Sequence, residues 1–151
     1  MKPVYQRIID AGKGDCFAAC LASILELPLE SVPNFRALET PEADMNKLAR
    51  EWLKENYNLS LVCIYNGKEI ISGEDFRVIG GLVGTPCIGT VISPNFENAQ
   101  HAVVGQIDKH GMNFELLHDP NPNGKEIKTR PLFLQFLVPM NPAQLKISEN
   151  Q

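Results

Sequence analysis

The chain has 151 residues, of which 44% are apolar and 21% charged, the proportions of an ordinary globular protein large enough to bury one core. Its formal charge is -4, with Lys and Arg scattered rather than striped, so the basic footprint of a nucleic-acid binder is missing and no nucleic acid is expected as a partner. No stretch approaches the roughly 20 apolar residues of a membrane span, and residues 1–13 carry Lys2, Arg7, Asp10 and Lys13 where a signal peptide would be apolar, which together point to a cytoplasmic protein with no membrane partner.

A single domain over residues 1–140 with a frayed tail over 141–151 fits this pattern. Val4-Tyr5-Gln6-Arg7-Ile8-Ile9 reads as a short extended segment, and Asp10-Ala11-Gly12-Lys13-Gly14 as a flexible run behind it. The stretch from Gly14 to Pro28 then reads as one helix. Asp15 is its N-cap, with a carboxylate placed to accept from the first free amides; Cys16 takes the first helical position; Pro28 blocks continuation. Apart from Ser23 and Glu26 its side chains are apolar or small, so this helix belongs in a core.

Beyond Pro28 and Pro33, Leu29, Val32 and Phe35 fold back onto that core. Thr40-Pro41-Glu42 predicts a second helix start, with Thr40 as N-cap and Pro41 at the first position. Met45, Leu48, Ala49, Trp52 and Leu53 make its apolar stripe, which ends near Asn56, and Trp52 is a core residue on it. From Leu59 to Tyr65 the residues become branched and aromatic, as in a strand, with Cys63 buried and Asn66-Gly67 as a turn. Residues 68–85 have no clean period, and a short helix near Glu74 and a loop both fit.

Pro86 to Ile92 is a further strand, and Ser93 to Gln100 a loop. A β-hairpin follows, with His101 opening one arm and Asp119 closing the other. If Lys109-His110-Gly111 forms a three-residue loop with Gly111 left-handed, Asp108 pairs with Met112, and His101 faces Asp119 at about 5 Å. A four-residue loop shifts the pairing by one, sets His118 opposite His101, and leaves the Asp119 contact to a bulge or bend. Asn121 to Gly124 is a turn, Lys125 to Thr129 is mostly polar, and Leu132 to Val138 is the last buried strand.

Four cysteines, Cys16, Cys20, Cys63 and Cys87, in a chain without an export signal read as reduced thiols. A zinc set would have to be forced from Cys16, Cys20, His101 and His118, whose spacing is wrong for one, so neither metal nor cofactor is expected. A thiol at a helix start is different. The helix dipole and the partnerless amides favour the thiolate, and the same amides can donate to an oxygen turning negative on an attacked carbonyl. Buried cysteine is otherwise a small hydrophobe, the reading that Cys20 keeps.

Cys16 departs from that reading because the chain also supplies a base and a group to orient it. Taken singly, His101 at a strand edge is a structural histidine and Asp119 before Pro120 a turn former; their joint placement is what suggests chemistry. His110 lies at the hairpin tip in solvent, and His118 points away from Asp119.

Gly14-Asp15-Cys16-Phe17-Ala18-Ala19-Cys20 opening a helix, His101-Ala102-Val103-Val104 opening a strand and His118-Asp119-Pro120-Asn121-Pro122 closing the next resemble three blocks of the papain-like cysteine peptidase superfamily. The nearest type is the bacteriocin-leader-processing peptidase, with small phage and bacterial relatives, and the resemblance spans residues 6–122. Phe17 stands where that superfamily commonly has glycine. The resemblance implies an α+β fold in which an N-terminal catalytic helix packs on an antiparallel sheet. It implies Cys16, His101 and Asp119 as the triad, and Gln6 with the Cys16 amide as the oxyanion hole. The expected activity is that of a hydrolase, a peptidase or amidase, working through a thioester on a peptide, protein or amide substrate. An acyl or amide transferase on the same triad, or a non-catalytic peptide- or protein-binding module, is the alternative. The oligomeric state stays open.

Overall fold

The computed structural model describes residues 1–65, 80–111 and 113–145. They form an α+β structure with two α-helices, α1 (Cys16–Leu25) and α2 (Met45–Tyr57), and five strands: β1 (Leu59–Tyr65), β2 (Cys87–Ile92), β3 (Gln100–Ile107), β4 (Phe114–His118) and β5 (Phe133–Pro139). The strands make one antiparallel sheet in the order β1-β5-β2-β3-β4, the last strand of the chain having inserted between the first two. No helix among the described residues is long and apolar enough to cross a membrane.

α1 is buried along most of its length, since Phe17 to Ser23 are all buried against β2, β3 and the turn Leu29–Ser31. It stops at Leu25, earlier than Pro28 requires, because Glu26 turns left-handed at φ 56° and its amide closes back on the Ala22 carbonyl. Leu29, Val32 and Phe35 fold onto the same core, and Phe35 meets Phe17 and Trp52 edge to face. A second apolar cluster, with Cys87, Ile107, Leu134 and Phe136, includes Phe114 at its margin. The Phe114 ring occupies space that a side chain at Gly89 or Gly105 would need: an added Cβ would lie 2.7 and 2.1 Å from its tip.

The start of α2 differs from the Thr40-Pro41 expectation. Thr40 and Ala43 exchange both backbone hydrogen bonds, at 3.0 and 3.2 Å, and so close a turn on themselves. Asp44 caps the helix instead, its carboxylate accepting from Lys47 N–H at 2.8 Å just where the apolar stripe begins. β1 has its predicted bounds, but Cys63 is exposed rather than buried, β1 being an edge strand of the sheet among the described residues. The Asn66-Gly67 turn and the possible helix near Glu74 fall outside the described residues. A short 3-10 helix, Pro142–Leu145, occupies part of the tail expected to fray, and residues 146–151 are not among those described.

The hairpin has the expected left-handed Gly111, at φ 69°, but a different register. Asp108 N–H bonds to the Asn113 carbonyl at 2.8 Å, so the loop holds four residues, and Ile107 pairs with Phe114. A bulge between Val104 and Gly105 moves the pairing again, so that Val104 faces His118. Neither Asp119 nor His118 therefore stands opposite His101. Asp119 lies beyond the end of β4, and the bend there returns it to the imidazole.

Candidate active site

The residues ahead of α1 form a strap that joins the helix to the end of β4. Ser23 accepts the Val4 amide at 2.9 Å, His118 Nε2 donates to the Val4 carbonyl at 2.7 Å, and Gln6 N–H donates to the Pro120 carbonyl at 2.9 Å. Ser23, the polar exception in α1, is thereby satisfied. Gly14 is required where the strap turns into the helix, because a Cβ there would sit 2.6 Å from the Asp10 carbonyl.

Asp15 does not cap α1 as expected. Its Oδ1 accepts from Arg7 N–H at 3.1 Å and from Ile8 N–H at 2.9 Å, and its side chain makes no bond to the helix. The strap offers two amides with no ladder partner, and they win the carboxylate. The first helical hydrogen bond runs from Ala19 to the Asp15 carbonyl, and among the described residues nothing accepts from the amides of Cys16, Phe17 and Ala18.

Cys16, partly exposed, opens onto a cleft of about 490 Å³ that His101 also lines. His101 is buried, and its Nε2 donates to Asp119 Oδ1 at 2.7 Å. Burial alone would lower the imidazole pKa. The hydrogen bond to Asp119 and the adjoining Cys16 thiol outweigh it and raise the value to about 9. Burial likewise pushes the Asp119 carboxyl up, while His101 and the Asn121 amide, 2.9 Å away, together hold it below the ordinary carboxylate range. The two shifts run in opposite directions for one reason: each partner stabilises the charged form of the other. With Nε2 occupied, Nδ1 is the ring nitrogen left to serve the thiol.

Cys16, His101 and Asp119 are thus brought together from three parts of the chain. Gln6 is buried beside them, but its Nε2 donates to the Ile8 carbonyl at 2.9 Å, its Oε1 has no partner, and it does not line the cleft. One of its amide hydrogens is therefore spent within the strap. The other thiols are set apart by burial, which raises Cys20 well above the usual thiol range, Cys87 to about 12, and Cys63 by less. No group of three or more His, Cys, Asp or Glu among the described residues is placed to hold a metal ion, so the forced Cys16, Cys20, His101, His118 set does not assemble.

Sequence reasoning missed Asn121 and Gly124. The Asn121 amide fixes Asp119, and a Cβ at Gly124 would lie 2.6 Å from Asp119 Oδ2, so this turn can pack against the carboxylate only with glycine there. The turn signal was visible; what it packs against was not. Also missed was Gln135, buried in the cleft wall with its Nε2 donating to Asn46 Oδ1 at 3.0 Å. As the one polar residue within an apolar strand, it carried a readable signal.

Comparison with models of known protein families, with curated proteins and with solved structures gave no match.

Proposed function

We propose that this chain is a cysteine-nucleophile hydrolase, a peptidase or amidase on a papain-like arrangement. The observation that carries the reading is the 2.7 Å bond from His101 Nε2 to Asp119, made beside a thiol that opens on the cleft. A helix bearing the thiol, packed on an antiparallel sheet bearing the imidazole, supports the reading.

In the first step the Cys16 proton passes to His101 Nδ1 and the sulfur adds to the substrate carbonyl carbon. The charge arriving on the carbonyl oxygen is met by the Cys16 amide, which has no acceptor among the described residues. The tetrahedral adduct collapses, His101 gives its proton to the departing amine, and a thioester remains. Water, deprotonated by His101, then releases the acid and restores the thiol. An amine in place of water makes the same enzyme a transferase. Asp119 keeps Nε2 protonated and the ring in plane throughout.

The test is the alkylation of Cys16 by iodoacetamide in the intact protein, with mass-spectrometric site assignment. At pH 6, Cys16 should react at least about 100-fold faster than Cys63 or Cys87, whose thiols burial holds above the usual range. His101→Ala should remove that advantage while the fold, followed by circular dichroism, persists. A Cys16 no faster than Cys63 overturns the mechanism and leaves a non-catalytic peptide-binding cleft as the better description.

A further inference from the structure

Four carboxylates line the cleft, from Asp10, Glu39, Asp44 and Glu97, against the Arg36 guanidinium and the His101 imidazole, itself paired with Asp119. The guanidinium is already engaged, with Nε donating to the Gly12 carbonyl at 3.0 Å and Nη1 lying 3.4 Å from Glu39. The formal charge of the whole chain is only -4, so this one concavity holds much of it. Three of the carboxylates are held in place by backbone amides: Asp10 by Gly12, Glu39 by Met45 and Asp44 by Lys47.

An acidic rim alone is what solvation of any surface produces. The wall behind it is a separate observation. Thr90, 8% exposed, lines the cleft, and among the described residues its hydroxyl has no hydrogen-bond partner. Its cross-strand partners Ala102 and Phe133 line the same cleft, and opposed residues share a face, so the hydroxyl points inward. Gln135, 3% exposed, spends its Nε2 on Asn46 and keeps its carbonyl oxygen without a donor. These two buried residues each leave an oxygen facing the cavity without a partner among the described residues, where a bound group that brings hydrogens can pair with it.

An ammonium or guanidinium brings hydrogens and no acceptors, and carries the sign that the rim attracts. A carboxylate or phosphate would meet repulsion at the rim and bring nothing for the Gln135 carbonyl. We infer that the cleft takes a substrate with a cationic group, a peptide or amide whose lysine-, arginine- or amine-bearing part seats against Thr90 and Gln135 among these carboxylates. The inference deepens the proposed function and depends on it only for what happens after binding.

The test uses the thiol itself as the probe and requires no turnover. The cationic 2-(trimethylammonio)ethyl and anionic 2-sulfonatoethyl methanethiosulfonates are similar in size. Each reacts by attack of the thiolate on the sulfenyl sulfur, forming a disulfide and expelling methanesulfinate. The ratio of cationic to anionic rate constants at Cys16 should exceed that of 2-mercaptoethanol, a neutral free thiol, by about tenfold. It should shrink in 1 M NaCl and in the Asp44→Asn, Glu97→Gln double variant, where asparagine still caps α2. A ratio equal to that of the free thiol overturns the inference, as does a raised ratio that neither salt nor the double variant lowers.

A panel of fluorogenic amides with lysine, arginine, norleucine or glutamate separates the two ideas. Turnover without preference for the cationic members overturns the cationic substrate and leaves the hydrolase standing. A raised reagent ratio with no turnover of any member overturns the hydrolase and leaves a cation-binding cleft.

Discussion

Two helices in this protein begin behind an aspartate, and the two aspartates do opposite things. Asp44 caps α2 by accepting from Lys47 N–H, and α2 is amphipathic, with Ala49 and Leu53 inside and a charged outer face. Asp15 precedes a helix buried on most sides and gives its carboxylate to Arg7 and Ile8 instead. An ordinary cap would have covered the amides beside Cys16. Because the strap draws the carboxylate away, the first amides of α1 stay without an acceptor among the described residues, whereas α2 uses the same residue type as a cap.

Removing each aspartate is the direct way to break the comparison. Asp15→Ala should cost about 2 kcal/mol in urea unfolding, since it leaves two strap amides without a charged acceptor, and loosening of the strap should slow Cys16 alkylation about tenfold. If stability falls and reactivity does not, the strap does not position the nucleophile.

The surroundings of Cys16 are also set from outside the helix, where the turn behind Asp119 packs on the carboxylate that holds His101. Gly124→Ala presses a methyl group on Asp119 Oδ2 and should slow Cys16 alkylation at pH 6 by about fivefold, with little change in unfolding midpoint. An unchanged rate would mean that Asp119 moves aside without disturbing His101. Asp44→Ala gives the smallest effect, about 1 kcal/mol of stability for a lost cap, read from urea unfolding. No loss of stability would show that the Asp44 cap does not hold the start of α2.

Much of the fold was legible in residue order. β1 was marked by its branched and aromatic run, the stripe from Met45 to Leu53 lies on α2, and Leu29, Val32 and Phe35 do fold back on α1. Local chemistry was the weaker guide wherever two partners competed for one group. Asp15 had helix amides and strap amides to choose from, and Thr40 could cap a helix or close a turn with Ala43. Cys63 has the neighbours of a buried strand residue, yet exposure depends on which strands flank β1, and that is decided only when β5 returns from the far end of the chain.

Cys16, His101 and Asp119 could be picked out unaided because each stands at a boundary that residue type announces: a helix start, a strand opening, a turn before proline. How the imidazole reaches the carboxylate could not. The three-residue loop would have set them face to face. The four-residue alternative, which left the contact to a bulge or bend, is the one found, with His118 opposite Val104 instead of His101. The Asn121 amide and the space over Gly124 hold Asp119 against His101. Residue order governs what the backbone does over a few residues, where sterics and hydrogen bonds are local. Register, burial and the allocation of a shared acceptor depend on groups that are distant in the chain, and they are settled only when α1, the strap and the sheet compete for the same space.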